Sequence, residues 1–507
     1  MIINIKAMIV VLAIAAVVFR LGKPIALQFS SEPDFARRRN VWFVLTATAF
    51  LSPSFWLYVL IAAPLLAWAG RKDSNPLALY LILLHVIPPV PVDIPVVGIA
   101  RLFPLDNYRL LSFCVLIPAA WRLRKLRNLN RIRGLTAMDF AILAFGLLQL
   151  FRYVPPDLPD HTILQDSATN VLRRGFLFFV DIYVLYFVAS RTCSSRRAMI
   201  DAMSAVCLAG AVMASVAIFE SVRSWLLYSN LGDGWGLGEA YGYQYHVYVF
   251  RGGFLRAQAA AGHAIALGYL LAIAFGFWLY LKSHVQSRWQ RIAVATLFWL
   301  GLLASQARGP LLGAVAIYFA FSLLGPRAVP RVIKAALVVA LLVGAISLTP
   351  FGGRIVNSIP LFGESTERAS VDYRQQLAER SWELIQLHPF LGDPLARTQM
   401  EDLRQGEGII DLVNTYAEVT LFYGSIGLGL FLALILVGLF KAYRASREFA
   451  RRDPDYAVLG ISLVACLLGT LLMIGSASFI FGLEKFFYLL SGLAAAYAYI
   501  GKLPERR

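Results

Sequence analysis

Apolar residues run along this chain in long blocks separated by short polar breaks. The blocks fall near 5–20, 41–70, 77–100, 107–121, 136–153, 175–190, 199–222, 260–281, 291–305, 309–324, 332–350, 414–440, 456–475 and 480–500. Many approach the roughly 20 residues a helix needs to cross a bilayer. The block 41–70 is interrupted by Ser52, Pro53 and Ser54, which predicts two short helices rather than one. The pattern as a whole predicts an all-α fold, a polytopic membrane helical bundle of about 14 transmembrane helices.

One outward connection breaks the rhythm. Residues 351–413 form a loop far longer than any other. Long loops in compact proteins tend to be functional or disordered. Within SVDYRQQLAERSWELIQLHPF, the residues Tyr373, Leu377, Trp382, Leu384 and Ile385 recur at mixed helical spacing. They predict an amphipathic helix over about 371–387, stopped before Pro389. The chain therefore divides into an N-terminal transmembrane bundle (1–250), a helical stretch carrying the motif SQARGP (251–350), the large loop (351–413) and C-terminal transmembrane helices (414–507).

Composition agrees with the pattern. Hydrophobic residues make up 59% of the chain and charged residues 15%, whereas soluble globular chains carry roughly 25% charged residues. The net charge of +17 would suggest nucleic acid in a soluble protein. Here the cations fall in short loops, as the positive-inside rule requires, and nucleic acid is not an expected partner. The strongest run is WRLRKLRNLNRIRG, 121–134, facing anionic lipid. Others are RTCSSRR (191–197), KSHVQSRWQR (282–291), GPRAVPRVIK (325–334) and KAYRASREFARR (441–452). If all lie on one side, the spans between them must come in pairs, and from residue 136 onward they do. Cys114, Cys193, Cys207 and Cys466 sit in or beside apolar runs without metal spacing and are expected as apolar core residues. The start, MIINIKAMIVVLAIAAVVF, lacks a strong basic region and a small-residue cleavage site, so it is expected to be a first membrane helix.

On this topology SQARGP is a tight outward turn, with Arg308 at the membrane boundary. An interfacial arginine can simply snorkel to headgroups. Gly309, however, admits a close neighbour, and the following helix N-terminus adds a positive dipole end. Arginine beside a helix N-terminus is a good receptor for an anion. Arg173, Arg174, Arg251, Arg256 and Arg374 are further outward arginines that could join it. Guanidinium suits bidentate phosphate recognition.

Four stretches carry a family resemblance: SQARGPLLGA; RAQAAAGHAIALGYLLA, Arg256 to Ala272; YRQQLAERSWELIQLHPFLGDP, Tyr373 to Pro394; and DLVNTYAEVTLFYGSIGLGLF, Asp411 to Phe431. In order and spacing the chain resembles the O-antigen polymerase and ligase family of bacterial inner-membrane glycosyltransferases, over roughly 250–440. The resemblance implies a GT-C-like helical bundle capped by the large loop, in the bacterial inner membrane with its active site facing the periplasm. It also implies undecaprenyl-diphosphate-linked glycans as donor and acceptor, a chain-length regulator protein and membrane lipid as partners, and no metal, cofactor or nucleotide sugar. A sugar hydroxyl would attack the anomeric carbon and the lipid diphosphate would leave. Arg308 and Arg374 match the family's arginines in the turn and the loop and are the catalytic candidates, stabilising the departing charge.

Substrate-binding candidates are Arg251, Arg256, His263, Asp411, Asn414, Glu418, Arg173, Arg174 and His388. Asn414 and Glu418 lie four apart, on one helix face. A carboxylate on a membrane helix suggests function, although a structural bond to an arginine explains it equally well. His263 is either a phosphate or sugar ligand or a packed polar residue, and His388 either a helix end or a base. The Gly- and Tyr-rich loop 232–253 reads as an interfacial aromatic belt or a sugar-stacking surface. Ligases of the family carry histidine just before the asparagine; this chain has Val413 there, which favours polymerisation of repeat units over ligation to lipid A core or protein. A transporter or flippase would place ionisable groups at mid-membrane in two related halves, a pattern the outward-crowded polar groups do not follow.

Overall fold

The computed structural model describes residues 2–95, 102–125, 136–151, 168–192, 195–238, 247–251, 253–325, 330, 366–404, 410, 412–479 and 482–500. Helices dominate. In chain order they are α1 Ile2–Ala26, α2 Glu32–Leu51, α3 Phe55–Lys72, α4 Pro76–Leu83, α5 Asn107–Leu111, α6 Ile117–Lys125, α7 Ala137–Phe151, α8 Ala168–Phe178, α9 Val184–Thr192, α10 Arg196–Arg223 and the short α11 Leu231–Gly234. They continue as α12 Ala264–Leu281, α13 Arg288–Ser305, α14 Arg308–Leu324, α15 Thr366–Leu387, α16 Thr415–Phe449, α17 Pro454–Ile474 and α18 Leu483–Ile500. Two antiparallel hairpins are the only strands described: β1 Val92–Asp93 with β2 Pro104–Leu105, and β3 Phe250–Arg251 with β4 Phe254–Leu255.

Among the described residues five helices are long and apolar enough to cross a membrane: α1, α10, α12 (continued to His284), α16 and α17. The block 332–350 lies outside the described residues. The expected break in 41–70 is there: Ser52 ends α2, and Ser54 caps α3 by accepting from the Leu57 amide at 3.3 Å. Two expectations shift. The block 77–100 is not a continuous helix, because Pro88, Pro89, Pro91 and Pro95 follow α4 and the chain passes into the β1–β2 hairpin. The first helix after the N-terminal span begins at Glu32, inside a charged stretch, because Ser31 caps it and Arg38 is paired.

That pairing is one of several that fasten the bundle at one end. Arg38 donates to Asp73 at 2.7 and 2.9 Å and to Asp201 at 2.8 and 3.0 Å, all buried. Arg191 pairs with Asp139 at 2.8 Å. Arg196 pairs with Asp453 at 2.8 Å and with Asp455, and the Tyr280 hydroxyl donates to Asp455 at 3.0 Å. Arg122, from the strongest basic run, donates to the Gly70 carbonyl at the end of α3 at 2.7 Å. Parts of two basic runs and Arg38 therefore meet at this end, bound to carboxylates and a helix terminus. The rest of 126–135 and Cys193 lie outside the described residues. The other three cysteines are free; Cys207 and Cys466 are buried and Cys114 is half-buried.

One apolar core, reaching from Ala7 to Tyr497, joins the N- and C-terminal helices. A second, small one places Leu377 and Leu384 of α15 against Ala396, Met400, Leu412 and Leu421. So the amphipathic helix forms, starting at Thr366 rather than about 371 and ending before Pro389. Trp382 does not share the buried face; it is 61% exposed. Five residues after Leu377 is about 500° of helix, well off the stripe made by 377, 381 and 384. Gly424 interrupts α16 with φ 63. Residues 389–390 pack into the break, where Ser425 and Ile426 donate to the carbonyls of Pro389 and Phe390 at 2.8 and 3.2 Å. A side chain at Gly424 would strike the Phe390 backbone.

Candidate functional site

The ends of α10, α13 and α17 and the starts of α12, α14, α16 and α18 meet at the opposite end of the bundle. The SQARGP turn lies there. Gln306 closes α13 in the left-handed region (φ 49), and its amide donates to the carbonyls of Arg251 and Phe254 at 3.4 and 3.3 Å. The turn thus carries the β3–β4 hairpin. The Ala257 amide donates to the Ala304 carbonyl at 3.0 Å, and Arg256 Nε to the Ser305 carbonyl at 3.3 Å. Arg308 opens α14, and the next residue, Gly309, abuts Ser476; a Cβ there would strike the serine oxygen.

Charge accumulates around this turn. Arg251 and Arg374 both lie near enough to repel the half-buried Arg308 guanidinium. Burial, and then repulsion from Arg251, lowers Arg256 to about 10, so it stays protonated at neutral pH. His263 caps α12, its Nδ1 accepting from the Ile265 amide at 3.2 Å. Burial, and then Arg256, lowers it to about 3, so its ring is neutral. The structure therefore groups Arg251, Arg256, His263, Arg308 and Arg374. An anion placed among these cations relieves their mutual repulsion.

The loop that presents Arg256 and His263 hangs from a carboxylate. Glu220, fully buried near the end of α10, accepts from the amides of Leu227, Gln258 and Ala259 at 3.0, 3.0 and 2.8 Å. Among the described residues four non-glycines adopt positive φ: Ser224, Ala259, Gln306 and Val413. All four lie at this end. Such backbone costs of order 1–3 kcal/mol per residue and persists only where the surroundings enforce it.

Of the remaining candidates, Glu418 lines a second feature beside the turn. A cavity of about 730 Å³ is lined by Arg109, Asp181, Glu418, Glu484 and Lys485 together with aromatic rings. Its floor is an ion network. Arg109 donates to Asp181 at 2.9 and 3.0 Å, and Lys485 to the same carboxylate at 3.3 Å. Glu418 pairs with Arg397 at 2.6 Å, and Arg397 lies over the Phe422 ring at 5.2 Å. Arg174 is close enough to act on Tyr423, another lining residue. The Asn414 side-chain oxygen caps α16, accepting from Tyr416 and Ala417 at 2.9 and 3.2 Å. Arg173 instead ties α8 to the Leu102 carbonyl and to Asn170. His388 is exposed at the end of α15, and Asp411 lies outside the described residues.

The two features touch. Ser476 meets Gly309, the Thr415 hydroxyl donates to the neighbouring Ala477 carbonyl at 2.7 Å, and Thr415 lines the cavity. Sequence reasoning missed Glu220, Gln306, Ser476 and the Arg109–Asp181–Lys485 network. The signal for two of these was present: a lone carboxylate inside an apolar run, Glu220 and Asp181.

Residues 292–432 match the family model described as O-antigen ligase. The match covers the SQARGP turn, α14, α15 and the first part of α16, and so includes Arg308, Arg374, Asn414 and Glu418. The resemblance read from the sequence is shown over this region. The chain matches none of the curated proteins.

Proposed function

We propose that the protein polymerises lipid-diphosphate-linked oligosaccharide repeat units into a surface polysaccharide, with undecaprenyl diphosphate as the leaving group. The observation that carries this is the convergence of Arg251, Arg256, Arg308 and Arg374 on the start of α14. In this reading the diphosphate sits among the guanidiniums with the α14 N-terminus behind it. An acceptor hydroxyl forms a new bond to the anomeric carbon, the bond from that carbon to the diphosphate oxygen breaks, and the diphosphate takes the electron pair. The hydroxyl proton ends on the diphosphate or in water. Negative charge grows on the leaving group in the transition state, so fixed cations act there more strongly than on the ground state.

Orientation follows from charge. The described parts of the basic runs 121–134 and 191–197 lie at the end away from the turn, which supports a cytoplasmic position for that end and a periplasmic one for the arginine cluster. The 14-span arrangement, with 351–413 as the large periplasmic loop and a chain-length regulator as partner, belongs to the same proposal. A second reading, transfer of the finished glycan to lipid A core or protein, is favoured by the description of the matching family; Val413 before Asn414 favours polymerisation.

Undecaprenyl diphosphate alone tests the anion site. Titrated into the purified protein, it should bind in a salt-sensitive way. Arg308→Ala should weaken that binding roughly ten- to hundredfold, the worth of a charge-assisted contact. Equal binding by wild type and variant would refute the cationic site.

A further inference from the structure

The cavity beside the turn lies outside the chemistry assigned to the arginines, and its lining has its own character. Four carboxylates, Asp106, Asp181, Glu418 and Glu484, face it against two basic lining residues, Arg109 and Lys485. Arg397, bound to Glu418, and Arg174, which acts on Tyr423 at the rim, bring the cations to four and balance the four carboxylates. A balanced set of charges gives a diphosphate no net attraction, and a polyprenyl chain would put hydrocarbon against ionised groups. Among the described residues no three acidic, cysteine or histidine side chains are placed to hold a metal ion. What fits is a neutral, hydroxyl-rich molecule with apolar ring faces. Carboxylates, the Gln149 amide and Lys485 offer acceptors and donors to hydroxyls, while Phe145, Tyr423 and Phe479 offer faces to stack on. The volume lies within the range of roughly 300–1,000 Å³ usual for small-molecule sites.

We propose that this cavity is a saccharide pocket that holds the terminal sugar of the accepting glycan. The inference rests on the proposed glycosyl transfer and names where its second substrate sits. Contact through Ser476, Ala477 and Thr415 sets a sugar in the pocket next to a diphosphate held at Arg308. The Arg109–Asp181–Lys485 network fixes the floor, because Asp181 is held from two sides by α5 and α18. The two places thus differ in chemistry: the anionic donor head goes to the arginines of the turn, and the neutral acceptor sugar to the charge-balanced, ring-lined pocket.

The test uses the full-length protein and two separate probes. One is undecaprenyl diphosphate. The other is the lipid-free, phosphate-free oligosaccharide released by mild acid from the host's own surface polysaccharide. Gln149→Leu and Phe479→Leu remove one polar and one stacking contact and leave the ion network intact. Each should weaken oligosaccharide binding roughly three- to tenfold while leaving undecaprenyl diphosphate binding unchanged. Arg308→Ala should do the reverse. Oligosaccharide binding that neither pocket variant alters, in proteins of unchanged melting temperature, overturns the pocket and leaves the arginine site standing. Wild-type protein that binds oligosaccharide but no lipid diphosphate instead overturns the functional reading beneath it.

Discussion

His263 and Glu220 show how single residues at the turn end trade charge for position. The His263 value of about 3 lies below the ordinary 6.5 because the ring is buried beside Arg256. On acidification the unfolded chain takes up a proton that the folded chain refuses. The stability is complete above about pH 6.5 and falls as the pH drops from there toward about 3, by at most about 1.4 kcal/mol per pH unit. The melting temperature of His263→Gln should therefore drop less than that of wild type between about pH 7 and about pH 5; parallel curves would show that the ring is not held neutral. Glu220 holds three amides at once. Removing it leaves buried N–H groups without an acceptor, at about 1–3 kcal/mol each. Glu220→Ala should lower the melting temperature sharply and abolish lipid-diphosphate binding by releasing the Arg256 loop, with Glu220→Gln intermediate. A Glu220→Ala protein with normal stability and binding would show that the clamp is dispensable.

Among the elements, α14 is held by close approaches that only small residues allow. Gly309 meets Ser476, Gly313 meets Met473, and Gly268 of α12 meets Pro310. Gly309→Ala should displace the turn, destabilise the protein and cut activity. Adding Ser476→Ala removes the oxygen that a new methyl would strike, and the double variant should recover much of the loss in a thermal melt. No recovery would place the fault elsewhere. The same elements show what the sequence made legible. The α10, α12 and α17 blocks, the break at Ser52–Ser54, the stop before Pro389 and the SQARGP turn all depend on neighbours in the chain, and local pattern found them. What stayed hidden depends on partners far away: Arg38 with Asp201, Arg109 with Asp181, Lys485 with Asp181. Lys485 lies 304 positions from the carboxylate it binds, and no periodicity announces that. Site residues were legible as types rather than as groups. The outward arginines stood out by charge, but their division between the turn (Arg251, Arg256, Arg308, Arg374) and the cavity rim (Arg174, Arg397) is a product of packing.

The whole molecule has two unlike ends. At one, Arg38, Arg191 and Arg196 are neutralised by Asp73, Asp201, Asp139, Asp453 and Asp455. At the other, arginines face one another and the backbone holds its four positive-φ non-glycine residues among those described. The proposed orientation puts this second end outside. With Cys114, Cys193, Cys207 and Cys466 replaced by alanine, Arg374→Cys should react with an impermeant maleimide on intact spheroplasts, and Arg444→Cys should react only after lysis. The opposite labelling would invert the topology. The central claim is that the arginine cluster drives transfer from a lipid diphosphate. Reconstituted wild-type protein, given the lipid-diphosphate-linked repeat unit of its own host without nucleotide sugar, should build a ladder of polymers on a gel, and Arg308→Ala and Arg374→Ala should lose it while remaining folded. Folded wild-type protein that joins no repeat units with any acceptor, or moves the intact lipid between leaflets instead, would contradict the account.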